Sequence, residues 1–276
     1  MNTLQFLLNL EKTKNKIANS NSPSNNRINS MGEALEIYIR NIYSGYLESL
    51  DTDNLDYTNC FSYIGNKTNP PDLMLKGGDA IEIKKIEGIS SDLALNSSSP
   101  KDKLSSNNPL ITKNCQQAED WKTKDMLYIV GNINKNNQTL SKLWLVYGDC
   151  YCAETGHYEE VKLRIKQGVE QIPNVEFAYT KELGRINKID PLGITNLRMR
   201  GMWTIAHPVK VFKYLDTNNF DVNCILLNTK YLSFEKSDRQ KIESNQNIKI
   251  TYIKIKNPNN PAQLLDAKLI QMNLCL

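Results

Sequence analysis

The sequence predicts an α/β fold with a central mixed β-sheet flanked by helices, and three observations carry that expectation. Apolar residues recur at helical spacing over 32–46. Two runs, 126–130 and 143–147, are dense enough in apolar side chains to be central strands. Between helix and strands, runs at 69–75 and 80–86 flank a Gly77-Gly78 pair, as the two arms of a hairpin would.

In chain order, residues 4–10 are largely apolar but lack a basic leader and a small-residue cleavage site, which marks a short docking helix rather than an export signal. Residues 12–30 are rich in Asn, Ser and Lys, the composition of an exposed arm or linker. Residues 1–30 are therefore expected to form a polar N-terminal arm with a short helix, and 31–276 a single domain. Structure is expected to begin at Met31. Over 32–46, Leu35, Tyr38, Ile39, Ile42 and Tyr46 form the apolar stripe, while Glu33, Glu36 and Arg40 line another face. Glu36 borders the stripe and stands four residues before Arg40, so it also fits a solvated ion pair.

The hairpin carries the chemistry. Alternation over 80–86 puts Glu82 and Lys84 on one face and Ile81 and Ile83 on the other. Asp72 joins Glu82 only in one register. A two-residue loop at Gly77-Gly78 would oppose Asp72 to Ile83 and send the carboxylates to opposite faces. A three-residue loop at Lys76-Gly77-Gly78, with Gly78 left-handed in a bulge, opposes Asp72 to Glu82, and that register is expected. Two carboxylates and a lysine then suffice for metal-assisted phosphodiester hydrolysis. Hard oxygen ligands suit Mg²⁺, which is typically bound through one or two carboxylates plus phosphate oxygens. Asp72 and Glu82 would hold the ion with the main-chain carbonyl of Ile83. Lys84 would orient or deprotonate the attacking water and offset charge in the transition state. Spacing alone fits a solvated hairpin equally.

Beyond the hairpin, residues 96–121 show little periodicity and read as a long loop, in which Asn96, Ser97, Ser98 and Lys101 could donate to phosphates or base edges or simply face water. A helix is expected over about 157–171, ending before Pro173. Strands are expected at 209–212 and 224–227, with an edge strand at 248–255 that turns its lysines outward. Arg198 and Arg200 alternate on one strand face. Arginine is the usual bidentate partner of guanine O6 and N7, worth about 1–3 kcal/mol per base discriminated, although an exposed basic strand has the same pattern.

Composition narrows the class further. With 34 Lys+Arg against 30 Asp+Glu, the net charge of +4 permits a nucleic-acid partner without demanding one. No run approaches the ~18 apolar residues of a membrane span. Six cysteines form no CxxC pair, so reduced thiols in a cytoplasmic chain are expected. With only His157 and His207, a histidine dyad is unattractive.

Four runs bring a family into view: Asn29-Ser30-Met31-Gly32-Glu33-Ala34-Leu35-Glu36, Asn69-Pro70-Pro71-Asp72 continuing through Glu82-Ile83-Lys84-Lys85-Ile86-Glu87, Leu93-Ala94-Leu95-Asn96-Ser97-Ser98-Ser99-Pro100-Lys101, and Leu197-Arg198-Met199-Arg200-Gly201-Met202-Trp203. In this order they closely resemble the NgoPII-like type II restriction endonucleases, of the PD-(D/E)xK nuclease class. The resemblance spans about 25 to 215, and nothing is carried over beyond it. It implies a restriction-endonuclease-like core and a bacterial or archaeal, Mg²⁺-dependent enzyme that cuts double-stranded DNA at GGCC. Nucleases of this class often place a helix glutamate beside the metal, here Glu36 or Glu33. A palindromic target implies a homodimer around the duplex. Two rival readings are a nuclease of the same class that cuts by structure, such as a repair or junction enzyme, and a non-catalytic nucleic-acid-binding protein.

Overall fold

A computed structural model describes residues 1–13, 27–47, 55–66, 69–88, 90–134 and 139–274, with 27–32 as backbone. Most of the polar stretch expected to be an arm, 14–26, lies outside these residues. Helices α1 (Thr3–Lys12) and α2 (Arg27–Ser44) precede β1 (Phe61–Asn66), β2 (Asn69–Leu75) and β3 (Ala80–Ile86). Two short strands, β4 (Leu93–Asn96) and β5 (Lys103–Ser105), and one helical turn, α3 (Lys113–Gln116), lead to the long strands β6 (Thr123–Ile133) and β7 (Leu140–Tyr147). Helix α4 (Thr155–Glu170) opens an excursion holding β8 (Glu176–Phe177), β9 (Gly184–Asn187), β10 (Leu197–Met199) and β11 (Trp203–Ile205). The chain returns through α5 (Pro208–Val211), β12 (Val222–Leu227), α6 (Asn228–Ser233), α7 (Lys236–Glu243), β13 (Lys249–Asn257) and β14 (Asn260–Met272).

The expected mixed sheet is present, in the order β1-β2-β3-β6-β7-β12-β14-β13, with β5 pairing beside β6. The β3–β6 and β7–β12 pairs are parallel and the others antiparallel. Leu127, Ile129, Val130, Trp144, Leu145, Cys224, Ile225 and Leu226 of β6, β7 and β12 are fully buried, so the densest apolar runs do form the centre. Helix α2 packs on β3, and Leu35 comes so close to β6 that a Cβ at Gly131 would stand 2.8 Å from its Cδ2. That approach explains a glycine in a central strand.

Helix α1 is the docking helix expected at residues 4–10, with Leu4, Phe6, Leu7 and Leu10 buried in the common core and an Asn2/Gln5 capping box closing its first turn. Several other expectations are corrected. Helix α2 starts at Arg27 rather than Met31 and ends at Ser44, where Gly45 turns left-handed at φ 79°. Residues 96–121 are not a structureless loop, since β5 and α3 fall within them. Residues 209–212 begin in a helical turn instead of a strand. There Pro208 occupies the first helical position, which needs no N–H, and His207 Nδ1 accepts the Val209 N–H at 3.1 Å. The edge strand β13 stands as expected with Lys249, Lys254 and Lys256 exposed, but it pairs with an unanticipated strand, β14.

The hairpin register is the one that opposes the two carboxylates. Leu73 pairs with Ile81 and Met74 with Ala80, which aligns Asp72 with Glu82. The Leu75 N–H donates to Asp79 O at 3.0 Å, closing a three-residue loop over 76–78. The left-handed residue is Gly77, at φ 60°, not Gly78. Lys124 braces this loop with all three of its donors. Its Nζ donates to Leu75 O at 3.0 Å and Gly78 O at 2.7 Å, and it pairs with Glu119, whose other oxygen accepts the Gly77 N–H at 3.0 Å. Just past the loop, the Asp79 carboxylate accepts from Tyr147 Oη and Lys230 Nζ, each at 2.6 Å.

Removing Lys124 takes a charged donor from Leu75 O, Gly78 O and the Glu119 carboxylate, leaving Leu75 O with the Gly78 N–H and Glu119 with the Gly77 N–H. Lys124→Ala should destabilise the chain by about 3 kcal/mol, read as a lower midpoint in denaturant unfolding. A change below about 1 kcal/mol would show that the loop keeps its shape without the lysine.

Candidate active site

Strands β2 and β3 part just beyond the Leu73–Ile81 pair, and the candidate site occupies the opening. The Asp72 side chain reaches across it, and Oδ2 accepts the Ile83 N–H at 2.6 Å in place of a β2 carbonyl. In a strand, the N–H and C=O of one residue leave on the same edge, so the Ile83 carbonyl faces this opening too. On β3, Lys84 Nζ bonds Glu82 Oε1 at 2.7 Å. Glu82 Oε2 is buried and has no hydrogen-bond partner among the described residues. Asp72, Glu82, Lys84, Asn96, Ser97 and Ser98 line one cleft of about 140 Å³.

The electrostatics follow from this crowding. Burial raises the Asp72 carboxyl well above the ordinary range, and the neighbouring Glu82 charge raises it further, against the opposing pull of Lys84 and the Ile83 N–H. Burial alone would lower the Lys84 ammonium, yet Glu82 and Asp72 hold it above its usual value. Glu36 adds to both shifts. The charge of Glu36 on helix α2 is thus felt at the site.

The other expected residues divide. Asn96 ends β4 in the left-handed region at φ 51°, and with Ser97 and Ser98 it forms one wall of the cleft. Lys101 is not available to a phosphate. It is buried, and its Nζ donates to Ser98 Oγ and to Ser99 O at 2.9 Å, tying down the turn after β4. Burial lowers its pKa to about 8. Arg198 lies in β10 but Arg200 falls just past its end, so the two do not share one strand, contrary to expectation. Both grip Glu182: Arg200 Nε lies 2.7 Å from Oε1, and Arg198 Nε bonds Oε2. Arg198 and Glu182 line a second cavity, of about 400 Å³, that adjoins the first at Ser97 and Leu110. Glu182 was not anticipated. It stands 16 residues before Arg198, and no spacing rule links them.

The donor set suits a hard divalent cation. Asp72 and Glu82 supply oxygens, and an ion would satisfy the orphan Glu82 Oε2. No group of three or more Asp, Glu, His or Cys side chains forms a ready cage among the described residues. A site of two carboxylates, completed by phosphate oxygens and water, is the arrangement Mg²⁺ favours.

Comparison with known proteins agrees in sequence. The family model described as NgoPII restriction endonuclease matches residues 1–256. The chain is 46% identical to the type II restriction enzyme NgoPII of Neisseria gonorrhoeae, over 99% of its own length and all of the relative's. No solved structure matches it. Among the described residues no helix is long and apolar enough to cross a membrane.

A carboxyl whose pKa rises on folding costs stability where it is ionised, and that cost disappears as pH falls through the raised value. Asp72→Asn keeps an acceptor for Ile83 N–H and removes the charge. It should raise the melting temperature of metal-free protein at neutral pH, with the gain shrinking as pH is lowered. Thermal melts across pH in chelator test this, and an unchanged neutral-pH midpoint would refute it.

Proposed function

The chain belongs to the NgoPII restriction endonuclease family, and from that premise we propose how this type II enzyme cuts its site. The substrate is double-stranded DNA containing the palindrome GGCC, and the cofactor is Mg²⁺. The observation that carries this reading is the opposition of Asp72 and Glu82 on parting strands, with Lys84 beside them and one Glu82 oxygen unpartnered.

Asp72, Glu82 and the Ile83 carbonyl would hold the ion, with Glu36 assisting from α2. When bound, such an ion offsets charge on the phosphoryl oxygens and acidifies water. The protein does the rest by position. The Ile83 N–H holds Asp72 in place, and two half-buried carboxylates keep Lys84 charged. Lys84 then orients the attacking water and offsets charge growing in the transition state. Asn96, Ser97 and Ser98 meet the backbone at the cleft wall, whereas Lys101 sets the shape of that wall from behind. Arg198 and Arg200 read guanines from the adjoining face. Because each site cuts one strand of a palindrome, two copies embrace the duplex as a homodimer. The enzyme works in the cytoplasm, which suits the free, buried cysteines among the described residues.

Digestion of a sequenced plasmid with Mg²⁺ should give discrete fragments ending at GGCC, whereas a nuclease that cuts by structure would leave none. Glu82→Ala and Lys84→Ala should each lower cleavage by at least ~10²-fold, with specific binding in Ca²⁺ retained. Unchanged cleavage in both variants would overturn the site assignment.

A further inference from the structure

We propose that Glu182 is a specificity-determining positioning residue, whose carboxylate holds Arg198 and Arg200 side by side and aims them at two adjacent bases. The inference deepens the proposed function and rests on its reading that these arginines contact guanines. Each oxygen of Glu182 takes one arginine: Oε2 accepts from Arg198 Nε and Oε1 from Arg200 Nε, the latter at 2.7 Å. Bonding through Nε leaves the outer Nη donors of both guanidinium groups for the fork that recognises guanine O6 and N7. The exposures agree. The arginine side chains are 59% and 56% exposed but the Glu182 side chain only 16%, so the carboxylate sits behind the cations.

The backbone fixes that placement. The Leu183 N–H donates to Met199 O at 3.2 Å, which sets Glu182 across from the two arginines that flank Met199. The Glu182 N–H is itself held by Thr180 Oγ1 at 3.1 Å. A Cβ at Gly184 would come 2.8 Å from Met199 Cε, so the segment lies tightly against β10. The Arg198 bond, then its charge and that of Arg200, holds the Glu182 carboxyl below the ordinary range, so it stays ionised.

An exposed ion pair adds little to stability, which makes a purely structural role for this three-residue contact uneconomical. Its effect on DNA is larger. Two arginines fixed in advance lose less side-chain freedom on docking to their bases. A carboxylate behind them also weakens attraction to phosphates at any sequence. Both effects favour the cognate site over random duplex.

The test compares Glu182→Ala and Glu182→Gln with Arg198→Ala and Arg200→Ala in the full-length protein, measuring affinity for GGCC and random duplexes in Ca²⁺, with thermal melts to verify folding. Glu182→Ala should weaken cognate binding roughly tenfold while random-duplex binding holds or tightens, so the ratio of the two collapses. Glu182→Gln, which keeps an acceptor atom in only one of the two positions and loses the charge, should fall between. If Glu182→Ala leaves that ratio unchanged while the arginine variants collapse it, Glu182 is a mere counter-charge and the proposal fails alone. If the arginine variants weaken both duplexes equally, base reading itself fails, and the proposal with it.

Discussion

The candidate site depends on the parity of one loop. Side chains alternate along a strand, so whether Asp72 and Glu82 share a face is decided by an odd or even count between β2 and β3. The count is three, and the residues that hold it lie outside the hairpin. Lys124, near the start of β6, takes the loop's two carbonyls. Glu119 takes its Gly77 N–H, and Tyr147 and Lys230 take the first carboxylate after it. Buried ion pairs of this kind add little net stability over apolar packing. What they contribute here is the choice of one register over its neighbour.

The same hairpin then has to come apart in a controlled way. Had the ladder continued past Leu73, a β2 carbonyl would have taken the Ile83 N–H and the carboxylates would have stood on a closed sheet. Instead Asp72 takes that N–H with its side chain, and the edge of β3 stays open where an ion could reach it. Burying a carboxylate beside another is unfavourable, and the upward shift of Asp72 registers the strain. Such a cost is expected where a charge has still to be supplied from solution.

How much of this was legible in the sequence follows from the range of each interaction. Asp72, Glu82 and Lys84 were legible because strand parity is a local rule, and the apolar runs of β6 and β7 marked the sheet's centre. Strand β14 was missed since its first five residues are all exposed and its last four all buried, so neither end shows the alternation that marks a strand. The helical turn at 208–211 was missed because Val, Val and Phe suit strands, and the cap at His207 outweighed them. Lys101 was placed on the surface by its charge alone. Only the fold shows that it points inward to Ser98 and Ser99, and a lysine can be buried there because it is hydrogen-bonded and its pKa has fallen. Glu182 could not have been found, since its link to two arginines is made by chain folding over a distance that no local pattern spans.

Between the cleft and the arginines lies a small structural joint. Strand β4 pairs with β11, which sets Trp203 opposite Asn96 and Ile205 opposite Leu93. The residues after β4 line the cleft, and those before β11 lead straight back to Arg200. The segment after β10 is therefore joined to the cleft wall through two short strands rather than through the large sheet, whose buried centre is close-packed. The main sheet can stay rigid and keep the carboxylates in register. The periphery is packed far less tightly, since α4 buries no residue and β8 lies exposed. The modest net charge of +4 fits this division, because Glu182 offsets cations on one side of the joint and Lys84 offsets carboxylates on the other. Each cluster carries its own counter-charge, an arrangement in which charges serve specificity more than raw affinity.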